Sequence, residues 1–194
     1  MPTSTAAADR AVTLLRRFGA ADLAHPGGTL LAHLQRVHAR LGLWRARPAL
    51  RLAGLCHAFY GTDGFPTALL PPDRRADLAA VIGAEAEALV YLYGSCDRRA
   101  THPVLTRADA PFHDRFTGRT HTPAPQLRRD FAELSAANEL DLAREDPDFR
   151  EKWGPGLLEL FTGFRPLLSE AAWHDCRTVL GAPPDQVSGA PPRP

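Results

Sequence analysis

Two histidines and one aspartate stand at positions where the surrounding residues predict the buried face of a helix. His33 lies in an apolar stripe spaced at i, i+3, i+7 and i+11 over 30–41, and His57 ends a similar stripe. Asp141 continues a third stripe that begins at Phe131. Burying a lone carboxylate is costly unless it is paired or bound to a metal. A metal ion held by all three side chains would satisfy them together.

The alternative is that each of the three side chains is satisfied separately within the core, because buried polar groups are usually hydrogen-bonded. His33 and His57 would then bind backbone carbonyl groups. Asp141 would form an ion pair with an arginine such as Arg144. The two interpretations differ in whether the three groups meet at one point.

Helix-period patterns cover most of the chain and predict an all-α protein. They span 8–18, 28–43, 48–58, 74–81, 84–96, 126–144, 155–161 and 166–180. The terminal segments 1–6 and 182–194 are Pro, Gly and Ser rich and are predicted to be disordered. Residues 7–181 are then expected to form a single domain, since their number is ordinary for one core.

The stretch from Ala100 to Ala124 interrupts the helical pattern with three prolines and a turn-like Thr117-Gly118. It is predicted to be a long loop or a short β-hairpin inserted near 100–124. Loops of this length in compact domains tend to be functional or disordered. Because its centre is aromatic and charged, the favoured interpretation is a lid folded over the helices.

The composition sets aside several classes of protein. With 23 basic and 22 acidic residues the net charge is +1, which does not suggest the basic surface of a nucleic-acid-binding protein. The three cysteines are widely spaced, so neither a disulfide framework nor a thiolate zinc site is indicated. No segment approaches the roughly 18 apolar residues of a membrane helix. We expect a cytoplasmic protein with a small-molecule substrate and no nucleic-acid or membrane partner, in an oligomeric state that the sequence leaves open.

Two segments carry a resemblance to a known superfamily. They read HPGGTLLAHL over 25–34 and AGLCHAFYGT over 53–62, and a distant Asp141 follows. This order resembles the HD-domain superfamily, whose helical bundle holds metal through a first histidine, a His-Asp dipeptide and a late aspartate. The two segments look most like a functionally uncharacterised, HD-related family of bacterial and fungal proteins. The resemblance implies an HD-like helical bundle.

One departure from the superfamily pattern matters, because the aspartate of the dipeptide is replaced by Ala58. A two-metal centre is therefore not expected. The remaining residues, His33, His57 and Asp141, form a two-histidine, one-carboxylate set. Such a set with open positions is typical of non-haem Fe(II) oxygenases, and zinc and manganese also accept it.

Other residues near these positions are candidates for chemistry or for substrate binding. His25 could serve as acid, base or additional ligand, and Tyr60 and Thr62 would place hydroxyl groups beside the metal. For each, a purely structural role is an equal alternative. If the 100–124 segment closes over the site, a substrate anion could be bound by arginines. The candidates for that role are Arg98, Arg115 and Arg119.

The sequence thus predicts a metal-dependent enzyme, with Fe(II) as the expected metal and a small polar or anionic substrate. The chemistry expected first is that of a non-haem iron oxygenase. A mononuclear zinc or manganese (phospho)hydrolase is the alternative within the same site. A third possibility is a metal-free ligand-binding module or pseudoenzyme, in which Ala58 marks a lost metal site.

Overall fold

The structure is a computed structural model that describes residues 4–181 of the 194-residue chain. Within these residues the chain forms nine α-helices and two short antiparallel hairpins, which confirms the predicted mostly α-helical fold. The helices are α1 (Ser4–Arg17), α2 (Leu30–Leu43), α3 (Pro48–Cys56), α4 (Arg75–Ile82), α5 (Ala84–Ser95), α6 (Arg98–Thr101), α7 (Pro125–Glu145), α8 (Pro147–Gly163) and α9 (Glu170–Leu180). The hairpins pair β1 (Ala24–His25) with β2 (Gly28–Thr29) and β3 (Phe112–Asp114) with β4 (Arg119–His121).

The predicted helices are all present, and the largest difference in their bounds is at α8. This helix begins at Pro147 rather than at residue 155. The Asp146 side chain caps it by accepting a hydrogen bond of 3.0 Å from the backbone N–H of Phe149. Pro147 occupies the first turn, where a backbone N–H is not needed. Pro155 therefore lies inside the helix instead of starting it.

Two other helix starts also differ from the prediction. Helix α1 begins at Ser4, so residues 4–6, predicted to be disordered, are helical; the three alanines at 6–8 favour this state. Residues 1–3 and the predicted disordered tail 182–194 lie outside the described residues. Helix α9 begins at Glu170 rather than 166, because Ser169 caps it through a bond from the N–H of Ala172.

The insertion predicted near 100–124 contains the hairpin of β3 and β4. The end of α6 and a short 3-10 turn over His102–Val104 precede this hairpin. The hairpin packs against the C-terminal end of α5. The backbone N–H of Arg115 donates to the carbonyl of Ser95 at 2.7 Å, and the N–H of Asp97 donates to that of His113 at 3.0 Å. Tyr91 of α5 also donates its hydroxyl to Asp114 at 2.9 Å. These bonds fix the hairpin to one end of α5.

Four helices surround the centre of the core. Helix α3 packs against both α2 and α5, and α7 packs against all three. Their buried apolar side chains belong to one continuous core that also includes residues of α1 and α9. Gly54 lets α3 approach α2 closely, because a Cβ at this position would collide with Cδ1 of Leu41 and lie 3.4 Å from Cγ1 of Val37.

The three cysteines, Cys56, Cys96 and Cys176, are buried free thiols. Burial raises the pKa of Cys96 and of Cys176 to about 12, so neither is an activated nucleophile. Among residues 4–181, no helix combines the length and the apolar character that crossing a membrane requires.

Candidate ligand-binding cavity

A cavity of about 640 Å³ lies where α2, α3, α7 and α8 meet. Helix α8 supplies its apolar wall, which consists of Phe149, Trp153, Leu157, Leu160 and Phe161. Four histidines also line the cavity and are called here the imidazole group: His25, His33, His57 and His102. The volume falls within the range of roughly 300–1,000 Å³ that is usual for small-molecule sites.

His33 is held in a buried charged cluster. Its Nδ1 donates a hydrogen bond of 2.7 Å to Oδ2 of Asp141. The guanidinium of Arg36, one turn further along α2, donates to both oxygens of the same carboxylate at 2.9 Å. Burial opposes ionisation of Asp141, but the bonds from His33 and Arg36 lower its pKa below the ordinary 3.8. Asp141 is therefore an anion that orients His33.

The other ring nitrogen of His33 is also engaged. Its Nε2 lies 3.1 Å from Oδ1 of Asn138. The orientation of this amide is fixed, because its Nδ2 donates to the carboxylate of Glu139 at 3.1 Å, and that carboxylate also accepts a bond of 3.0 Å from Arg98. Both ring nitrogens of His33 are thus engaged by neighbouring side chains.

His57 lies at the end of α3 and is only 2% exposed. Its Nδ1 donates a hydrogen bond of 2.8 Å to the carbonyl of Gly54. Among the described residues, Nε2 of His57 has no hydrogen-bond partner, although the ring lines the cavity. Burial, followed by the nearby charge of His33, lowers the pKa of His57 to about 3. The ring is therefore neutral at pH 7.

His25 and His102 complete the imidazole group. The ring of His25 stacks on that of His33 with their centroids 4.2 Å apart. Burial, together with His33, lowers the pKa of His25 to about 4, and burial together with Arg98 lowers that of His102 to about 4. Within the described part of the chain, Nδ1 of His25 and Nε2 of His102 are buried without a hydrogen-bond partner.

The predicted metal set of His33, His57 and Asp141 does not fit a metal ion in this arrangement. Both oxygens of Asp141 are bound by Arg36, and Nε2 of His33 is engaged by Oδ1 of Asn138. Only His57 offers a free lone pair. Across residues 4–181 no group of three or more His, Cys, Asp or Glu side chains has an arrangement that could hold a metal ion. In this arrangement Asp141 bonds to the His33 ring and does not lie next to it as a second metal ligand.

Only two of the three predicted catalytic residues lie at the cavity. His25 and Thr62 line the cavity, although the Thr62 hydroxyl accepts a bond of 3.0 Å from the backbone N–H of Phe65. Tyr60 is directed elsewhere, because its hydroxyl donates to Glu87 at 2.9 Å and it does not contribute to the lining. Tyr60 therefore lies outside the cavity lining, with its hydroxyl bonded to Glu87.

The predicted substrate-binding arginines are also divided. Arg98 lines the cavity, but its guanidinium is bound to Glu139 and to the hydroxyl of Tyr93. Arg115 donates to the carbonyl of Gly94 at 2.8 Å, and Arg119 lies on β4 with an exposed side chain. Neither Arg115 nor Arg119 contributes to the lining. The hairpin is thus not a lid over this cavity.

Sequence reasoning missed two parts of the site. Arg36 and Asn138 each lie three residues from a predicted ligand, at the spacing that places side chains on one helix face. That spacing was the signal by which both could have been found. The first half of the apolar wall was missed because α8 was predicted to begin at residue 155. The signal for its true start was the Asp146-Pro147 pair.

Residues 14–98 match the model of a protein family described as a domain of unknown function (DUF6817). The match covers less than half of the chain. It includes His25, His33 and His57, but neither α7, which supplies Asp141, nor α8, which supplies the apolar wall. No curated protein and no solved structure matches the chain.

Proposed function

We propose that this protein binds a small molecule with a mainly apolar body in the cavity between α2, α3, α7 and α8. The observation that carries the proposal is the composition of the cavity lining. An apolar wall from α8 and the imidazole group share one space of about 640 Å³. Ligand sites typically combine mostly apolar linings with a few placed polar groups.

The buried nitrogen atoms of the imidazole group support this proposal. Nδ1 of His25 and Nε2 of His102 have no partner among the described residues. A buried polar atom without a hydrogen bond costs about 1–3 kcal/mol. Both atoms belong to side chains of the cavity lining, so this space holds polar side chains that the surrounding core does not pair.

Trp153 supports a route into the cavity along α8. It belongs to the apolar wall, yet its side chain is 51% exposed. A side chain that both lines a cavity and is exposed to solvent lies where the cavity opens. We assign Trp153 to the rim of the cavity, where a ligand entering from solvent would touch it first.

A fluorescent apolar probe tests the proposal. N-phenyl-naphthylamine, which is uncharged and emits strongly in apolar surroundings, is expected to bind with one molecule per chain. Leu157→Trp, which fills the cavity, should abolish the signal. Leu158→Trp is the matched control, because Leu158 is the next residue of α8, equally half-buried, but does not contribute to the lining. Equal probe binding by both variants would overturn the proposal.

Metal-dependent catalysis is a second candidate function. The observation that favours it is the packing of three imidazoles, because the ring centroid of His33 lies 4.2 Å from that of His25 and 5.3 Å from that of His57. For Nε2 of His33 to become a metal ligand, Asn138 would have to turn away from it. Neither an oxygenase nor a (phospho)hydrolase is favoured over the other by this packing.

Metal analysis tests this second candidate. The protein would be loaded anaerobically with Fe(II), or with zinc or manganese, and then desalted. Stoichiometric metal that is lost in both His33→Ala and His57→Ala would support a metal enzyme. Retained iron would favour oxygen chemistry, and retained zinc or manganese a hydrolase. A parent protein that retains none of these metals would exclude the candidate.

A further inference from the structure

We infer that the cavity selects an uncharged ligand whose polar end is a hydrogen-bond donor, such as a hydroxyl group, and that Nε2 of His57 accepts this bond. The inference rests on the proposed binding function and adds the chemical class of the ligand. It makes His57 a specificity-determining residue rather than a metal ligand. Three features of the described residues carry it.

The first feature is the tautomer of His57, which its surroundings fix. A backbone carbonyl can only accept, so the bond of 2.8 Å to Gly54 places the proton on Nδ1. In a neutral imidazole the other nitrogen then carries a lone pair. The lowered pKa of the ring, to about 3, agrees with the neutral form. Nε2 of His57 is consequently an acceptor at the cavity surface.

The second feature is the fixed orientation of the ring. It packs edge to face against His33 on one side and Tyr93 on the other, with centroids 5.3 and 5.2 Å away and interplanar angles of 80° and 82°. Its side chain is almost fully buried. A hydrogen-bond acceptor in a fixed orientation discriminates between ligands, because a ligand without a matching donor leaves the acceptor desolvated and unpaired.

The third feature is the charge balance of the lining. Arg98 is paired with Glu139 at 3.0 Å, and His33 is bonded to Asp141 at 2.7 Å. His25, His57 and His102 are neutral at pH 7, because burial lowers the pKa of each to about 4 or below. The described lining residues thus offer no unpaired cation. An anionic ligand would lose its hydration without gaining a charge partner.

Displacement of the bound naphthylamine probe by three molecules of the same shape tests the inference. Naphthol carries a hydroxyl donor, its methyl ether carries only an acceptor, and naphthoate carries a negative charge. We expect naphthol to displace the probe at about tenfold lower concentration than the ether, as one neutral hydrogen bond would give. Naphthoate should be the weakest competitor at pH 8, where it is fully ionised.

Two outcomes of the displacement series would overturn the inference while leaving the proposed function intact. They are equal displacement by naphthol and its ether, and tightest displacement by naphthoate. Failure of the probe itself to bind would overturn the proposed function and this inference together. The two failures are therefore distinguishable.

Substitution then assigns the acceptor. In His57→Phe the preference for naphthol over the ether should fall to about onefold, since no acceptor remains at this position. His38→Phe is the control, because His38 also bonds a backbone carbonyl through Nδ1, that of Arg51 at 2.9 Å, but does not line the cavity. His102→Phe is the comparison variant, which removes another nitrogen from the lining. A preference that is lost only in His102→Phe would overturn the assignment to His57.

Nitrogen NMR on the parent protein keeps the inference testable if His57→Phe fails to fold. Protonated and bare imidazole nitrogens have well-separated chemical shifts. Nε2 of His57 should give the signal of a bare nitrogen, and that signal should move when naphthol is added but not when the ether is added. A protonated Nε2 in the free protein would overturn the inference.

Discussion

Nδ1 of His33 donates a hydrogen bond of 2.7 Å to Asp141, which lies 108 residues further along the chain, and each side chain is only 1% exposed. Arg36 binds the same carboxylate from the next turn of α2. Helices α2 and α7 are therefore joined here by a buried charged cluster and not only by apolar contacts. The same cluster sets the orientation of the His33 ring at the cavity.

Removing the charge of this cluster should destabilise the fold. Asp141→Asn keeps the size of the side chain but removes the carboxylate that His33 and Arg36 share, and leaves Arg36 only Glu145 at 3.8 Å. Breaking a buried ion pair from one side usually costs about 3–5 kcal/mol, and the partial exposure of Arg36 favours the lower end of this range. Urea denaturation followed by circular dichroism would measure the loss.

The matched control for this substitution is Asp109→Asn. Asp109 also pairs with an arginine, Arg107, but both side chains are largely exposed. Exposed ion pairs contribute little to stability, so this variant should unfold at the urea concentration of the parent. Equal stability of Asp141→Asn and the parent would contradict the role assigned to the cluster.

The stability of the protein should decrease as the pH falls below 6.5. His57 has a pKa of about 3 in the folded state and an ordinary value of 6.5 when unfolded, so the unfolded chain binds the extra proton first. Its contribution is complete above pH 6.5 and is lost as the pH approaches 3. For His57 alone, the decrease between pH 6.5 and pH 5 should be about 2 kcal/mol.

Urea denaturation at a series of pH values would measure this dependence. His57→Gln can still donate to the carbonyl of Gly54 but does not titrate, so the decrease should be smaller in this variant. It should not vanish, because burial also lowers the pKa of His25 and of His102. If the free energy of unfolding of His57→Gln changed with pH as it does in the parent, His57 would not be a group that binds a proton on unfolding.

Glu139→Gln should change the charge preference of the cavity. The substitution leaves Arg98 without its carboxylate partner, while Arg98 remains part of the lining. A charged donor in a desolvated site binds a carboxylate strongly. Displacement of the naphthylamine probe by naphthoate should therefore improve about tenfold relative to naphthol. An unchanged ratio would mean that Arg98 does not reach the ligand.

Gly156→Ala should stabilise the protein by about 0.5–1 kcal/mol, because alanine has the higher helix propensity. Gly156 lies inside α8, and a Cβ there would meet no atom within 4 Å. Thermal unfolding would measure the change. Gly83→Ala is the informative comparison, since space is equally open but φ is +88°; it should be destabilising. A loss of stability in Gly156→Ala would indicate that the backbone of α8 requires a glycine at this position.

The buried positions of the site were predictable from periodicity. His33, His57 and Asp141 were placed on inward stripes, and each is almost fully buried. Their mutual arrangement was not predictable in the same way. Whether Asp141 meets a metal or an arginine depends on how α2 and α7 are aligned along their axes. That alignment is a property of the packed helices and is not encoded in the spacing within either helix.

The apolar wall was predictable only in part, for a different reason. Pro155 resembles a helix start, because proline is favoured in the first turn of a helix. In α8 it instead follows two full turns that begin at Pro147. Phe149, in the first of these turns, packs against the core. Local propensity therefore placed the helix but gave it the wrong length, and the predicted site contained no residue of the wall.

Gly54 ties the architecture of the core to ligand recognition. Its missing side chain permits the close crossing of α3 over α2, and its carbonyl holds the His57 ring. Any residue that spreads this crossing would also carry the carbonyl, and with it the ring, away from its present place. If the cavity binds a ligand as proposed, a substitution at Gly54 is expected to alter which molecules bind without contacting any of them, because it changes the spacing of the helices that position His57.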